Sequence, residues 1–342
     1  MKTVGVDIGY GFLKVYDGNN FIVIPSVIGE AVSMAFEMQK EMGYKESNKI
    51  NYRKLSEVIV DDNEYSVGEF AILQSENSYR PISLDRATDG FLKVFFLLGL
   101  ACTMDENKTE ENFHLVTGLP VKDFVLHKGF YVNTFTGTHT IKINGFERII
   151  NIDKVTVIPQ PYGTFCDGLF DSNGKEDESF AKQHIGIIDV GFKTSDFIQI
   201  KDYTYLEKFS STSVNGMSYI YNSVKDYLHT EYGITKEDFE LETIIREGSL
   251  RYNGQNIDIT DYLIGIKKNL AKKISAEIKN KWPNFPELEV IIISGGGGAM
   301  LFDYFYDVLR EDIVLSHDPQ IANVRGYYSW GAYLDKMTGG DN

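Results

Sequence analysis

Two short stretches of this chain repeat one pattern, and they limit the possible folds more than any other feature. Residues 4–16 read VGVDIGYGFLKVY, and residues 187–198 read IIDVGFKTSDFI. In each, an apolar run ends at an aspartate, Asp7 or Asp189, and a glycine follows two residues later. The glycine allows the backbone to reverse and to approach a ligand closely. We therefore predict a strand, a tight turn and a second strand in both places.

The distance between the two stretches in the chain is large enough for each to open its own domain. Two such turns facing each other across a cleft would clamp a phosphate chain. Their backbone N–H groups would bind the oxygens, and the carboxylates of Asp7 and Asp189 would hold a hydrated Mg²⁺. Either stretch alone is more simply an ordinary β-hairpin with an aspartate at its turn. The pair, together with the glycine run described next, favours the phosphate interpretation.

A run of glycines follows a predicted strand near the end of the chain. The strand at residues 289–293 leads into Ser294 and Gly295–Gly298, and we predict a helix at residues 300–309. Such a run lets a ligand lie flat on the backbone at a helix N-terminus, although alone it is a weak signal. The chain has no GxxxxGK[ST] sequence, and the glycines after Asp7 lead into a strand. P-loop and Rossmann sites are therefore excluded.

Composition and charge exclude several classes of protein. A chain of 342 residues, 43% hydrophobic, is expected to form two globular domains. Its net charge of −15 argues against a large nucleic-acid footprint and against binding to anionic membranes. Cys102, Cys166 and the six scattered histidines match no metal or redox spacing. Asp7 and Gly9 interrupt any signal-peptide core, so we expect a cytoplasmic protein.

Periodicity and turn residues predict the remaining elements. The run FLKVFFLLGLAC at Phe91–Cys102 is too short to span a bilayer and is predicted to be a core helix. Asn144-Gly145 and Asn253-Gly254 predict hairpins. Further strands are predicted at residues 21–25, 57–60, 64–67, 113–118, 155–158 and 203–209. Helices are predicted at residues 31–42, 84–104, 122–135, 162–170, 214–229, 236–247, 259–282 and 321–337.

Four motifs, in their order along the chain, resemble the actin fold. They are DxGxGxxxK at residues 7–14, PQP at 159–161, DxGxxTxD at 189–196 and SGGGG at 294–298. The segments GLP at 118–120, QPYGT at 160–164 and ANVRGY at 322–327 narrow the resemblance to the ParM group of plasmid-segregation proteins, and most closely to ParM of Gram-positive bacterial plasmids. The resemblance covers essentially the whole chain and is weakest at about residues 30–80 and 230–285.

The resemblance implies an α/β protein with the actin-like fold, in which two related α/β domains enclose a nucleotide cleft. Domain I is expected at residues 1–159 plus 321–342, with a small inserted subdomain at about residues 28–80. Domain II is expected at residues 160–320.

The resemblance also assigns roles in the first domain and its connection. Asp7 and Asp189 would organise the Mg²⁺ and its waters, and Lys14 would reach the β- and γ-phosphates as a point charge. Gln160 would orient the attacking water, because an amide is a poor general base. The alternatives are a solvated strand charge for Lys14 and a capping amide for Gln160.

The remaining binding residues follow from the glycines and the second motif. Gly9, Gly11 and Gly191 would donate N–H groups to phosphate oxygens, and Thr194 would support the second loop. The adenine and ribose would lie on Gly295, Gly296 and Gly297. Glu247 is expected to touch the ribose, and Gly216 completes the predicted cofactor-binding set. Phe192 and Lys193 stand where related sequences often have Gly or Thr, so GTP is kept beside ATP as a possible nucleotide.

The function implied is an ATPase, or a GTPase, whose hydrolysis is coupled to filament assembly and disassembly. The filament would be a homopolymer that segregates plasmid DNA through a ParR-like DNA-binding adapter, without itself touching nucleic acid or a membrane. One alternative is a non-polymerising sugar or acid kinase of the same fold, although no aspartate is a convincing base for it. Another is a chromosomal or phage actin-like cytoskeletal filament.

Overall fold

The protein is described by a computed structural model, which covers residues 1–32, 50–80, 90–171, 173–310 and 312–339. The chain forms two compact units, one from Met1–Asp177 with Ile321–Asn342 and one from Glu178–Gln320. Residues 160–177 therefore pack with the first unit, although we expected domain II to begin at residue 160. The expected domain division after residue 159 remains a prediction. The helix predicted at residues 31–42 and the start of the helix predicted at 84–104 lie outside the described residues.

The first unit contains one mixed sheet, which has nine strands in the described part of the chain. Its spatial order is β3-β2-β1-β7-β9-β8-β5-β6-β4. The residues expected to form an inserted subdomain thus contribute the last strands of this sheet. The strands are β1 (Lys2–Ile8), β2 (Phe12–Tyr16), β3 (Phe21–Pro25), β4 (Ile28–Glu30), β5 (Leu55–Val60), β6 (Asn63–Val67), β7 (Glu110–Leu119), β8 (Gly137–Ile143) and β9 (Phe146–Pro159).

The β8–β9 hairpin turns where the sequence predicts it. Asn144 and Gly145 both have positive φ angles, of 48° and 87°, as a two-residue turn of this kind requires. The strand predicted separately at residues 155–158 is the second half of β9. The first half of β9 pairs with β8, and the second half continues along β7. A register shift between Phe113 and His114 of β7 accommodates this long strand.

Helices cover the sheet of the first unit. The predicted core helix is confirmed: of its residues, Leu92, Val94 and Phe95 are among those buried against the sheet. The helices of this part are α1 (Glu69–Gln74), α2 (Phe91–Cys102), α3 (Val121–Phe135) and α4 (Gln160–Leu169).

The second unit is built on a smaller sheet with the order β12-β11-β10-β16-β17, and β13 pairs with β11. A separate hairpin of β14 and β15 turns at the predicted Asn253-Gly254. The strands are β10 (His184–Val190), β11 (Ser195–Lys201), β12 (Thr204–Tyr205), β13 (Ser211–Ser213), β14 (Ser249–Tyr252), β15 (Gln255–Asp258), β16 (Val290–Ser294) and β17 (Ile313–Leu315). The helices are α5 (Glu178–Ala181), α6 (Ser218–Tyr232), α7 (Asp238–Glu247), α8 (Thr260–Lys281) and α9 (Gly295–Val308), and the final helix, α10 (Ala322–Gly339), belongs to the first unit.

One predicted strand differs from the structure. The strand predicted at residues 203–209 is only the two-residue β12, followed by a 3-10 turn at Glu207–Phe209. Positive φ angles at Asp202 and Tyr203 form the turn that joins β11 to β12, and the 3-10 turn ends the extended segment on the other side. None of the helices in the described ranges has the length and apolarity needed to cross a bilayer.

The two sheets share a three-strand arrangement around their aspartate motifs. In the first unit, β1 lies between its antiparallel hairpin partner β2 and the parallel strand β7. In the second unit, β10 lies between its antiparallel partner β11 and the parallel strand β16. Both predicted strand-turn-strand motifs are therefore present, and each aspartate lies near the carboxyl end of an internal strand.

Candidate functional site

The first half-site consists of Asp7, Gly9, Gly11, Lys14 and Gln160 in the first unit. Asp7 is 3% exposed, and its cross-strand partner on β2 is Lys14. The Nζ atom of Lys14 lies 3.3 Å from Oδ2 of Asp7. The Nε2 atom of Gln160, the first residue of α4, donates to Oδ1 of Asp7 over 3.0 Å. Three predicted site residues from separate elements therefore meet, and each oxygen of the buried carboxylate has a positively polarised partner.

The glycines of this half-site form the turn between β1 and β2. The N–H of Gly9 donates to the carbonyl of Phe12 over 2.9 Å, which closes the turn. A Cβ atom at Gly9 would lie 3.2 Å from that carbonyl oxygen. The absence of a side chain thus lets the turn close tightly and leaves its backbone accessible to a ligand.

The second half-site consists of Asp189, Gly191, Thr194 and Gly295–Gly297 in the second unit. Asp189 is 6% exposed at the end of β10. Its turn closes through the N–H of Gly191, which donates to the carbonyl of Thr194 over 2.9 Å. The turn therefore has the same backbone hydrogen bond as the first, formed between corresponding positions.

Asp196 also lies in the second hairpin, at a position for which the sequence predicts no role. It is the cross-strand partner of Asp189, as Lys14 is of Asp7. Asp196 is 2% exposed and accepts hydrogen bonds from the hydroxyls of Thr194 and Thr212. The second hairpin therefore carries two buried carboxylates where the first carries a carboxylate and a cation. The final position of the DxGxxTxD motif was the sequence signal for it.

Gly216 lies behind the second turn. The helix predicted to begin at residue 214 begins instead at Ser218, so the expected place of Gly216 within the helix is wrong. A Cβ atom at Gly216 would lie 2.6 Å from the carbonyl oxygen of Phe192. The N–H groups of Met217 and Ser218 donate to the carbonyls of Gly191 and Phe192 over 3.1 and 2.7 Å. Gly216 thus permits this segment to support the turn, and its assignment to cofactor binding remains a prediction.

Phe192 departs from the sequences that this chain resembles, and the structure accounts for its bulk. Its ring packs edge-on against Tyr221 of α6, with centroids 4.8 Å apart. Phe192 is partly buried against the hydrophobic core of the second unit. The side chain therefore contributes to packing on α6.

The glycine run forms the first turn of α9, where the sequence predicted a turn followed by a helix from residue 300. Gly295 has a φ of +81°, and a Cβ atom there would lie 2.4 Å from Oδ1 of Asp189. At Gly296 the nearest atom to such a Cβ is Cγ of Gln320, at 3.9 Å. Gly295 thus lets the helix begin directly against Asp189, and Gly296 leaves open space over bare backbone at a helix N-terminus.

Glu247 is the last residue of α7 and is exposed. Its carboxylate lies 3.9 Å from the guanidinium of Arg246. Among the hydrogen bonds of the described residues, none joins Glu247 to the rest of the second half-site. Its predicted contact with a ribose therefore remains a prediction.

A nucleotide and a magnesium ion fit these two half-sites. The open backbone at Gly296 suits a flat ligand, and both hairpins have closely approachable turns. Within the described ranges, no cluster of three or more His, Cys, Asp or Glu side chains is arranged to hold an ion. A Mg²⁺ at Asp7 or Asp189 would therefore take most of its ligands from water and phosphate, as this ion commonly does.

Comparison with protein families gives two matches in chain order. The family of actin-like protein N-terminal domains matches residues 5–163, and the C-terminal domain family of archaeal MreB-like actin homologues matches residues 187–306. The chain therefore carries two actin-like domains. Each match contains one of the two aspartate hairpins, so the predicted actin-like fold with its two related motifs is confirmed. No curated protein sequence matches the chain.

Solved structures of actin-like proteins superpose on nearly the whole chain. A non-polymerisable quadruple mutant of pCBH ParM is 25% identical, with a TM-score of 0.79 over 97% of this chain and 99% of that one. A ParM protein of Clostridium botulinum in a 15-stranded filament is 24% identical, with the same coverage and a TM-score of 0.79. The archaeal actin homolog Ta0583 in complex with ADP is 19% identical, with a TM-score of 0.76 over 97% of this chain and 100% of that one. The similarity to ParM structures expected from the sequence is therefore confirmed.

Proposed function

We propose that this actin-like protein binds and hydrolyses ATP and that the nucleotide controls its assembly into filaments. The observation that carries the proposal is the repeated aspartate hairpin, in which Asp7 and Asp189 each lie buried beside a tight glycine turn. Each half-site is proposed to contribute to nucleotide binding. Support comes from the open helix N-terminus at Gly296 and from the ADP complex of an archaeal relative with this fold.

The two hairpins contribute different groups to phosphate binding. Lys14 contributes a positive charge beside the turn of Gly9 and Gly11, and this charge attracts the phosphate chain. Asp7 and Asp189 would hold a Mg²⁺ ion, which would supply positive charge to offset that of the phosphates. Asp196, the partner of Asp189, adds to the negative field that favours a cation at the second hairpin.

Gln160 orients the water that attacks the terminal phosphate. Its amide is anchored to Oδ1 of Asp7 through Nε2, which leaves the amide oxygen to accept a hydrogen bond from water. An amide does not remove a proton at neutral pH, so its contribution is position rather than base catalysis. ATP is the proposed nucleotide, and GTP is an outcome of the same assays.

Self-assembly is proposed because ParM structures of similar fold include a filament and because the chain offers an apolar face. Val125, Leu126 and Phe130 of α3 are 63%, 75% and 45% exposed. Leu126 and Phe130 are four positions apart, so they are neighbours on the helix surface and form an apolar patch, and Val125 adds a further exposed apolar side chain on the same helix. A second copy of the chain is the proposed occupant, since burial in a filament removes this surface from water.

DNA movement is proposed to depend on an adapter. With a net charge of −15, the filament itself repels a polyanion at physiological salt. A basic, ParR-like DNA-binding protein would bridge the filament to plasmid DNA, and the acidic surface favours such a partner.

Sedimentation tests the proposal directly. Purified protein is centrifuged with Mg-ATP, Mg-GTP, Mg-ADP or no nucleotide, while phosphate release is followed in parallel. Pelleting that requires the triphosphate and reverses as phosphate appears supports the proposal. Monomer in every condition, across protein and salt concentrations, contradicts assembly, and a sugar-dependent release of ADP would identify a kinase instead.

A further inference from the structure

The carbonyl groups of the first phosphate turn are held from one side by two residues outside the predicted site. Oγ of Ser26 donates to the carbonyl of Gly9 over 2.8 Å, and the N–H of Ser26 donates to the carbonyl of Gly11 over 3.0 Å. Nη1 of Arg80 donates to the intervening carbonyl of Tyr10 over 3.2 Å. Three successive peptide oxygens are thus bound by donors from only two residues.

This pattern determines the direction of the N–H groups in the turn. The carbonyl and the N–H of a trans peptide unit point in opposite directions, and no cis peptide occurs in the described chain. Because the carbonyls of Gly9 and Tyr10 point toward Ser26 and Arg80, the following N–H groups, of Tyr10 and Gly11, point away from them. Successive N–H groups presented in this way make an anion-binding turn.

Both donors are themselves fixed in place. Ser26 is completely buried directly after β3. Arg80 follows Tyr79, whose N–H and carbonyl both bond to Ile28, over 2.9 and 3.0 Å. Ser26 is thus enclosed by the fold, and the backbone that carries Arg80 is anchored at the preceding residue.

Arg80 also brings charge close to the turn. Its guanidinium lies 5.6 Å from the ring centroid of Tyr10, and a Cβ atom at Gly11 would lie 3.3 Å from Nη1. The buried Nε of Arg80 has no hydrogen-bond partner among the described residues. The guanidinium lies at this position although one of its donors is unsatisfied. Its charge strengthens the positive electrostatic potential behind the turn.

We propose that Ser26 and Arg80 are positioning residues of the first phosphate turn, which hold its carbonyls so that its N–H groups face the phosphate chain. This inference rests on the proposed nucleotide binding. It differs from the role of Lys14, because Ser26 and Arg80 act through the backbone. The variants to compare are Ser26→Ala, Ser26→Thr, Arg80→Gln and Arg80→Lys.

The experiment measures the affinity of each variant for Mg-ATP and for adenosine, which lacks phosphates. Ser26→Ala should weaken ATP binding about fivefold to tenfold, the factor expected for one lost hydrogen bond, and leave adenosine binding unchanged. Ser26→Thr keeps the hydroxyl and should restore affinity. Arg80→Gln should also weaken ATP binding about tenfold, and the difference in affinity from wild type should become smaller as the salt concentration is raised. Arg80→Lys keeps the charge and should keep part of the affinity.

Matched controls separate position from folding. Ser275→Ala removes a buried hydroxyl without a hydrogen-bond partner in the second unit, and Arg53→Gln removes an exposed charge in the first. Both should bind ATP and adenosine like wild type. Unchanged ATP affinity in Ser26→Ala and Arg80→Gln would overturn the inference. A parallel loss of ATP and adenosine binding, with a lower melting temperature, would also overturn it. Wild type that binds no nucleotide would instead refute the proposed function.

Discussion

We expect that removing the hydrogen bond between Gln160 and Asp7 will separate nucleotide binding from hydrolysis. In Gln160→Ala, Oδ1 of Asp7 loses the donor at 3.0 Å, whereas Lys14 remains 3.3 Å from Oδ2. A hydrogen bond to a charged group contributes about 1.5–3 kcal/mol. Because Lys14 continues to compensate the carboxylate, we expect the free energy of unfolding to fall by only about 1–2 kcal/mol.

The effect on hydrolysis should be larger than the effect on binding. The turn glycines and Lys14 do not depend on the Gln160 side chain, so nucleotide affinity should stay within about threefold of wild type, or roughly 0.7 kcal/mol. A water that is no longer oriented should slow hydrolysis by about tenfold or more, at about 1.4 kcal/mol per factor of ten. Filaments of the variant should therefore persist longer after assembly.

Single-turnover phosphate release, measured beside equilibrium nucleotide binding, provides the test. Gln74→Ala, an exposed glutamine of α1, is the control and should match wild type. Gln160→Glu places a second carboxylate beside Asp7, and like charges at this distance should weaken nucleotide binding as well. Equal hydrolysis rates in wild type and Gln160→Ala would remove Gln160 from the mechanism.

Four further predictions concern separate parts of the molecule. Gly295→Ala should destabilise the second unit by about 1–3 kcal/mol in chemical denaturation, because residue 295 has a φ of +81° and the new Cβ would meet Asp189. The control, Gly265→Ala, lies in open space on α8 and should not destabilise the unit. Leu126→Asp should prevent pelleting with Mg-ATP while nucleotide binding persists, and Leu73→Asp, equally exposed on α1, should pellet normally. Burial lowers the pKa of His114, so at mildly acidic pH the unfolded chain takes up a proton that the folded chain does not. The free energy of unfolding should therefore fall as pH drops below about 6.5, and a flat profile would refute this. Without an adapter, the protein should not shift plasmid DNA on a gel at physiological salt, and a tight shift would reveal a basic surface that the net charge conceals.

Local patterns were sufficient to predict most elements of the fold. The apolar run at Phe91–Cys102, the turn at Asn144-Gly145 and the two aspartate hairpins all lie where periodicity and turn chemistry place them. These features depend on residues close together in the chain, so a single sequence carries enough information about them. The strand predicted at residues 203–209 is shorter than expected because a 3-10 turn at Glu207–Phe209 interrupts it, and the apolar pattern does not reveal that turn.

The sequence predicted residues of the candidate site where they belong to a recognisable motif, as Gln160 does in the PQP segment. The Asp7–Lys14 pair lies within one hairpin, and the neighbouring Asp196 lies within the second motif. Ser26 and Arg80 reach the first turn from distant segments with no pattern of their own, and only the assembled sheet brings them there. Gly295 was identified as a ligand-facing glycine, but its close approach to Asp189 depends on the packing of α9 against β10.

Calorimetric titration with ATP at varied Mg²⁺ tests whether both aspartate hairpins contribute to binding one Mg-nucleotide. Asp7 and Asp189 lie in different compact units, so each variant changes only one half-site. We expect one nucleotide per chain in wild type. We also expect Asp7→Ala and Asp189→Ala each to lose Mg²⁺-dependent affinity by about tenfold or more, roughly 1.4 kcal/mol. Two nucleotides per chain, or full Mg²⁺-dependent affinity in either variant, would contradict this expectation.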